Sequence, residues 1–238
     1  MKMENKVEKA MVLASGGVDS TTCLGLAIDK YGKDNVIALS VSYGQKHTKE
    51  LECAKAVAAH YGVELYSIDL AQIFKYSNCS LLKQSDQEVP HESYDEQLKE
   101  GDGSPVSTYV PFRNGLFLST AASFALSKDC NVIYYGAHAD DAAGSAYPDC
   151  TPEFNDAMNT AIYEGSGKQL RVEAPFINSS KADVVACGLK LGVPYELTWS
   201  CYEGGEEPCG ECGTCIDRAR AFELNGVEDP LIVRLRNR

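Results

Sequence analysis

The turn at residues 15–20 contains the side chains most typical of a ligand-binding or catalytic site. It reads Ser-Gly-Gly-Val-Asp-Ser and joins an apolar run at residues 10–14 to an apolar-periodic segment at residues 21–28. Glycines let a backbone approach a ligand closely, and the first N–H groups of a helix attract anions. Asp19 suits such a turn where Mg²⁺ bridges its carboxylate to a phosphate. The turn therefore predicts a site for nucleotide phosphates, and we take the nucleotide to be ATP.

The turn differs from the Walker loop, because no lysine follows its glycines. A strand before it, a helix after it and the Asp19–Ser20 pair distinguish it from a merely flexible Ser-Gly-Gly turn. The block resembles the pyrophosphate loop of the ATP pyrophosphatase superfamily, whose members use ATP to activate a carboxyl, carbonyl or amide carbon. The resemblance implies that ATP is contacted by the residues of this segment, namely Leu13, Ala14, Ser15, Gly16, Gly17, Val18, Asp19, Ser20, Thr21, Thr22 and Cys23.

A second group of residues that could form a functional site is a set of four cysteines in the last part of the sequence. Cys201, Cys209, Cys212 and Cys215 follow the spacing C-x₇-C-x₂-C-x₂-C, with glycines at two turn positions. Four thiolates so spaced can close around a tetrahedral ion, which is how structural zinc sites form. A redox pair at Cys209 and Cys212 is disfavoured by the other two thiols. An iron–sulfur cluster remains the rival, and we expect one structural Zn²⁺ per chain.

Both groups need a scaffold, and the first 70 residues alternate apolar strands with amphipathic helices. Strands are predicted at residues 10–14, 35–43 and 63–70, with helices at 21–28 and 45–60. Further helices are expected at 109–126, 152–163 and 180–191, and further strands at 131–136 and 170–174. Such alternation predicts an α/β fold with a doubly wound, mainly parallel sheet and helices on both faces.

Residues 75–106 break this pattern, because polar residues dominate and apolar ones are sparse. We interpret this segment as a flexible insertion near the active site. The expected organisation is an ATP-binding domain at residues 1–194, with a small C-terminal zinc knuckle and helix at residues 195–238.

Composition excludes several classes of function. The net charge is −12, from 22 basic and 34 acidic side chains, so the basic footprint of a nucleic-acid binder is missing. No apolar run reaches the roughly 18 residues of a membrane helix, and the charged residues 1–9 do not resemble a signal peptide. We expect a cytoplasmic protein that binds neither nucleic acid nor membrane.

Together with the phosphate loop and the four cysteines, several blocks of sequence between them resemble the 7-cyano-7-deazaguanine synthase family of the queuosine-precursor pathway. These blocks follow one another in order across nearly the whole chain. They are Val110–Asn114, Gly136–Asp141, Tyr147–Cys150, Lys181–Asp183, Leu197–Tyr202, Pro208–Cys212 and Cys215–Arg218. The chain departs from the family at Val110–Phe112, before Arg113, where a small residue is more usual, and in its long acidic segment at 80–105.

The resemblance implies a ligase that uses ATP and ammonia to convert 7-carboxy-7-deazaguanine, through an amide, into a nitrile. It also implies a homodimer. We assign catalytic roles to Asp19, Ser20, Arg113, Asp140, Asp141 and Lys181, with Mg²⁺ assisting at the phosphates. His138 could act as an acid–base group, and Trp199 and Tyr147 could stack on the base.

Three alternatives stay open. A tRNA-modifying sulfur transferase of the same superfamily would use catalytic cysteines, but the acidic charge disfavours an RNA substrate. A non-enzymatic zinc-knuckle binding module would need neither the loop nor the α/β core. Relatives that stop at the amide are the third alternative.

Overall fold

Five parallel strands form the centre of the protein. The computed structural model describes residues 7–92, 96–97, 99, 105–143 and 146–238. The strands pair in the order β3-β2-β1-β4-β5, and each neighbouring pair is parallel. Their bounds are Ala10–Leu13 (β1), Val36–Ser42 (β2), Glu64–Asp69 (β3), Val132–Tyr134 (β4) and Arg171–Glu173 (β5). The predicted parallel α/β fold is confirmed.

Helices connect these strands and extend the chain beyond them. None of the helices within the described residues is long and apolar enough to cross a membrane. They are α1 (Val18–Tyr31), α2 (Lys49–Tyr61), α3 (Ala71–Phe74), α4 (Arg113–Ser127), α5 (Ala139–Ala142), α6 (Pro152–Gly165), α7 (Lys181–Leu191), α8 (Gly213–Leu224) and α9 (Pro230–Arg236).

Apolar side chains cover both faces of the sheet. On β1, Ala10 and Val12 belong to one buried cluster, together with side chains of α1, α2, α7 and α8. Met11 points to the opposite face and joins a second cluster with α4 and α6. Successive side chains of a strand face opposite sides, so continuous apolar strands require helices on both faces. The doubly wound arrangement follows directly from this pattern.

The predicted helix at residues 45–60 is wrong at its start, because α2 begins only at Lys49. Gln45 makes interactions outside the helix. Its side-chain oxygen accepts a hydrogen bond from Tyr43 N at 2.9 Å, and its backbone forms an isolated antiparallel β-bridge with Leu82. Thr151 caps α6 as expected, since its hydroxyl accepts from Phe154 N at 3.2 Å.

Phe112, the last residue of the Val110–Phe112 stretch noted above, adopts the left-handed conformation with φ of 54° immediately before α4. Its N–H donates to the Tyr109 hydroxyl at 2.9 Å, and its ring packs edge-on against Phe154. A side chain in this region costs roughly 1–2 kcal/mol, which explains why a small residue, glycine above all, fits this position well.

The described part of the 75–106 segment packs against the body of the protein. Leu81 and Leu82 are buried in a third apolar cluster, which also contains Trp199 and three of the clustered cysteines. The prediction of a flexible insertion falls partly on residues 93–95, 98 and 100–104, which lie outside the described residues. The segment's buried part lies beside the cysteine cluster.

Candidate active site

The 15–20 loop lies where the order of the sheet reverses. The chain runs outward from β1 through β2 to β3 on one side, and then crosses to β4 and β5 on the other side of β1. Open α/β sheets bind their ligands in the crevice at the carboxyl ends of strands at such a point. The loop directly follows Leu13, the last residue of β1. The topology therefore places the predicted phosphate site where this fold class binds ligands.

Hydroxyl groups hold the loop in shape. Ser20 Oγ accepts hydrogen bonds from Ser15 N at 3.2 Å and from Gly16 N at 3.3 Å. Ser15 Oγ accepts from Gly17 N at 3.2 Å and lies 3.0 Å from Ser20 Oγ. These bonds fix the curvature of the backbone, so the loop is preorganised for an anion rather than flexible.

The loop needs its glycines because backbone from two other regions contacts it. Gly16 has a φ of 91°, and a Cβ there would lie 2.2 Å from Glu50 O. Its carbonyl accepts a hydrogen bond from Trp199 N at 3.0 Å. A Cβ on Gly136, after β4, would lie 3.0 Å from Asp19 Cβ. The loop is thus enclosed by α2, the β4 end and the C-terminal segment.

Asp19 lies at the centre of a group of charged side chains. Lys181 Nζ donates to Asp19 Oδ2 at 2.6 Å, and His138 Nε2 lies 3.8 Å from Asp19 Oδ1 and 3.4 Å from Asp141 Oδ2. Burial would raise the pKa of Asp19, but Lys181 and His138 hold it below its usual value. Burial likewise opposes the charge of Lys181, and Asp19 nevertheless raises its pKa. Asp19 and Lys181 therefore form a charged pair.

One oxygen of Asp19 remains available to a ligand. Asp19 Oδ1 is buried and has no hydrogen-bond partner among the described residues. A buried carboxylate oxygen without a partner is energetically costly, and an incoming cation would satisfy it. The oxygen donors at this position suit Mg²⁺, which binds through one or two carboxylates and substrate phosphates.

The predicted site residues do not all reach the cleft beside the loop. From the ATP segment, Leu13, Ala14, Ser15, Gly17, Asp19 and Ser20 line it, as do Arg113, Asp141, Tyr147 and Lys181. The side chains of Val18, Thr21, Thr22 and Cys23 are instead buried. Thr22, for example, contacts the Tyr195 hydroxyl at 2.7 Å.

Asp140 and Trp199 serve the scaffold. Asp140 Oδ2 accepts a hydrogen bond from Lys181 N at 2.7 Å, at the start of α7, so it fixes the helix end from which the Lys181 side chain extends. The Trp199 side chain is only 1 % exposed, and its ring nitrogen donates to Cys201 O. The stacking role predicted for Trp199 is therefore wrong, because its ring belongs to the core.

Arg113 faces the cleft from the first turn of α4. Its Nη1 donates to the Tyr43 hydroxyl at 3.3 Å, and its guanidinium lies over the same ring. The next residue, Asn114, is held by Asp149, whose carboxylate accepts from Asn114 N at 2.8 Å. This bond anchors the start of α4 and thereby the guanidinium, at the apolar wall formed by Phe117.

Two carboxylates in the cleft were missed by the sequence analysis. Burial raises the pKa of Glu50, on α2, to about 7, although Arg113 and Lys181 oppose the shift. Burial raises the pKa of Asp217, on α8, to about 6. A signal for Glu50 existed, because residues that follow β2 emerge at the same sheet edge as the loop after β1.

The four predicted metal ligands converge. The sulfur atoms of Cys201, Cys209, Cys212 and Cys215 all lie within 4.8 Å of one another. Cys209 Sγ accepts hydrogen bonds from the N–H groups of Glu211 and Cys212, at 3.5 and 3.3 Å. A set of four thiolates at this separation fits a single metal ion or a small cluster.

Two features define the class of this protein: the parallel sheet whose strand order reverses at β1, and the Ser-Gly-Gly-Val-Asp-Ser loop ahead of α1. It is an α/β protein of the pyrophosphate-loop (PP-loop) class. The family described as "Queuosine biosynthesis protein QueC" matches residues 9–226, and the chain belongs to this family.

Curated relatives match nearly the whole of this chain. A protein of Archaeoglobus fulgidus is 45% identical over 225 residues, which cover 94% of this chain and 90% of the relative. One of Thermoplasma acidophilum is 44% identical over 238 residues, covering 96% and 92%. One of Oceanobacillus iheyensis is 43% identical over 226 residues, covering 94% and 97%. All three are named 7-cyano-7-deazaguanine synthase.

The fold also resembles that of a solved structure. The U34-tRNA thiolase NcsA from Methanococcus maripaludis, solved with its [4Fe-4S] cluster, superimposes with a TM-score of 0.51. The comparison covers 94% of this chain and 68% of the thiolase, at 17% sequence identity. At this identity the likeness concerns the fold alone.

Proposed function

We propose that the protein is an ATP-dependent ligase that converts 7-carboxy-7-deazaguanine and ammonia into 7-cyano-7-deazaguanine. The observation that carries the proposal is one cleft that joins the phosphate loop to Arg113, in a chain whose relatives bear this enzyme's name. A carboxylate resists attack by ammonia because its carbon is electron-rich, so ATP must first turn one oxygen into a leaving group. Ammonia then gives an amide, and a second activation removes the amide oxygen.

The loop and its surroundings suit the phosphates of ATP. The N–H groups at the start of α1 and the Ser20 hydroxyl would bind phosphate oxygens. Asp19 would hold Mg²⁺, which would offset the negative charge of the phosphates. Lys181, 2.6 Å from Asp19, neutralises charge as the leaving group departs. Ser20 also stabilises the loop itself, because its hydroxyl lies 3.0 Å from Ser15 Oγ.

The opposite wall suits the deazapurine. Arg113 pairs with the substrate carboxylate before activation, and Tyr147 offers an aromatic wall to the ring. Asp141 accepts hydrogen bonds from the base edge. Asp140 acts indirectly, because it caps the helix that carries Lys181.

The cysteine cluster is proposed to hold one structural Zn²⁺ per chain, supplied by four thiolates and leaving no position open for chemistry. Replacement of Cys212, which is fully buried, by serine should abolish metal binding and unfold the knuckle. Elemental analysis of the purified protein measures the metal. The matched control is Cys187→Ser on α7, away from the cluster, which should retain one zinc per chain. Iron with visible charge-transfer absorption would contradict zinc and favour an iron–sulfur cluster.

The remaining features of the proposal concern organisation. We propose a cytoplasmic homodimer with no nucleic-acid partner, consistent with the net charge of −12. Residues 1–194 form the ATP-binding domain, and residues 195–238 form the metal-binding segment.

The proposal is tested by incubating the purified protein with ATP, Mg²⁺, ammonium and 7-carboxy-7-deazaguanine. Mass spectrometry should detect the nitrile. Accumulation of the amide alone would instead identify an amide-forming relative, and activity only in the presence of tRNA would identify a tRNA-modifying enzyme.

A further inference from the structure

Glu50 occupies a position in the cleft that the roles assigned above do not use. It lies in the first turn of α2 and lines the cleft together with Asp19 and Arg113. A Cβ placed on Gly17 would lie 4.0 Å from Glu50 Oε1, so this carboxylate adjoins the phosphate loop. Its backbone is fixed, because α2 packs directly on Gly16. The side chain is therefore held where activated substrate and leaving group must meet.

The Glu50 carboxylate is free to accept a proton. It makes no hydrogen bond with the described residues, and its surroundings act on it only through burial and the charges of Arg113, Lys181 and Asp19. Asp19 is paired with Lys181 at 2.6 Å, and Asp149 accepts a backbone N–H. The two cations and one anion around Glu50 come from α4, α7 and α1. Glu50 thus has no bound partner to displace before it accepts a proton.

The proposed reaction requires such a group, and the argument here rests on the proposed function. When ammonia attacks the activated carboxyl carbon, the C–N bond forms, the C–O bond to the activating group breaks, and the nitrogen loses one proton. In the second half-reaction the amide oxygen is activated, and the nitrogen loses one of its two protons as the C=N bond forms. The last N–H bond breaks as the C–O bond to the leaving group breaks and the third C–N bond forms. The nitrogen therefore loses one proton in the first half-reaction and two in the second.

We propose that Glu50 is the catalytic base that accepts the protons lost by the nitrogen in both half-reactions. Glu50 adjoins Gly17 and lines the same cleft as Arg113. Because we assign the phosphates to the loop and the substrate carboxylate to Arg113, we place the reacting carbon within reach of Glu50. His138, another basic group of the site, is only 2 % exposed and lies between Asp19 and Asp141. After each proton transfer, Glu50 releases the proton through the open cleft.

The pKa of Glu50 suits this role. Burial raises it to about 7, and a general base works best when its pKa lies near the operating pH. A carboxyl group with an ordinary pKa would be a weaker base toward an ammonium-like nitrogen. Below pH 7 the protonated acid cannot accept a proton, and activity should fall there.

The test compares the wild-type protein with Glu50→Gln. Rates of amide and nitrile formation are measured at saturating ATP, Mg²⁺ and 7-carboxy-7-deazaguanine, with free ammonia held constant as pH varies. We expect Glu50→Gln to lower kcat for both products by about 10²-fold or more. The substrate KM should stay near the wild-type value. The rise of wild-type activity through a pKa near 7 should disappear, and Glu50→Asp should recover part of the rate.

Controls separate catalysis from folding. Glu52→Gln, on the exposed side of the same helix, should match the wild type. The raised folded-state pKa of Glu50 means that the wild type loses stability as pH rises from the ordinary glutamate value through about 7. Glu50→Gln should therefore unfold at no lower temperature than the wild type at pH 8.

Three outcomes would overturn the inference. Wild-type kcat in Glu50→Gln, with the pH dependence intact, excludes a base at this position. A higher KM for the deazapurine with unchanged kcat assigns Glu50 to substrate recognition instead. A wild-type protein that makes neither amide nor nitrile overturns the proposed function, and this inference with it.

Discussion

Asp19→Asn is expected to lower the rate of nitrile formation by about 10³-fold, the loss typical of removing one preorganised charged or polar group from an active site. Asparagine has the same shape as aspartate but carries no charge. It would weaken the 2.6 Å pair with Lys181, and it removes the unpartnered oxygen that we assign to Mg²⁺. Steady-state kinetics with ATP and Mg²⁺ would measure the effect.

A matched control exists on the same helix. Asp29, in the last turns of α1, is exposed, so Asp29→Asn should keep wild-type activity. Metal content should remain one zinc per chain in both variants, because Asp19 and the cysteine ligands are separate sites. Undiminished turnover in Asp19→Asn would contradict the assigned role, and metal loss would mean that the two sites depend on each other.

The second large effect is expected from Arg218→Leu, which should lower the free energy of unfolding by roughly 3–5 kcal/mol. The Arg218 side chain is buried and binds both Asp229 oxygens, at 2.6 and 2.9 Å. It also donates to Thr198 Oγ1 and Tyr195 O. Leucine fills a similar volume but leaves the Asp229 charge buried without its partner. Urea denaturation followed by circular dichroism would measure the loss.

The control for this prediction is Arg220→Leu, two residues along α8 and exposed, which should change stability by no more than about 0.5 kcal/mol. The double variant Arg218→Leu/Asp229→Leu should recover part of the stability, because it removes the buried charge as well as its partner. If Arg218→Leu unfolds at the wild-type urea concentration, the buried pair does not hold the C-terminal helices together.

Features encoded by neighbouring residues could be predicted from the sequence. The Ser-Gly-Gly-Val-Asp-Ser turn can be recognised in the sequence because a strand, two glycines and the start of a helix follow one another. The cysteines likewise converge as their spacing predicts. The parallel sheet follows from the alternation of apolar runs with amphipathic segments. In each case the determining contacts are local or periodic.

Features created by distant contacts could not be predicted. The strand order indicates the sheet edge near which Glu50 lies, but its position in the cleft depends on α2 packing against Gly16, and no short motif marks that contact. Asp140 resembles a ligand in the sequence, yet its carboxylate binds Lys181 N, 41 residues away in the chain. Trp199 resembles a stacking surface, but its ring is buried beside the knuckle. Residue type alone cannot distinguish these environments.

The hydrogen bond from Trp199 N to Gly16 O has a consequence for how the protein is made. The loop is translated well before Trp199, because the two lie far apart along the chain. Contacts between such distant residues form late, because a long intervening chain must first be ordered. The nascent chain therefore carries the phosphate motif without the backbone that encloses it until the segment at Trp199 has emerged. The loop acquires this support only after that segment is translated.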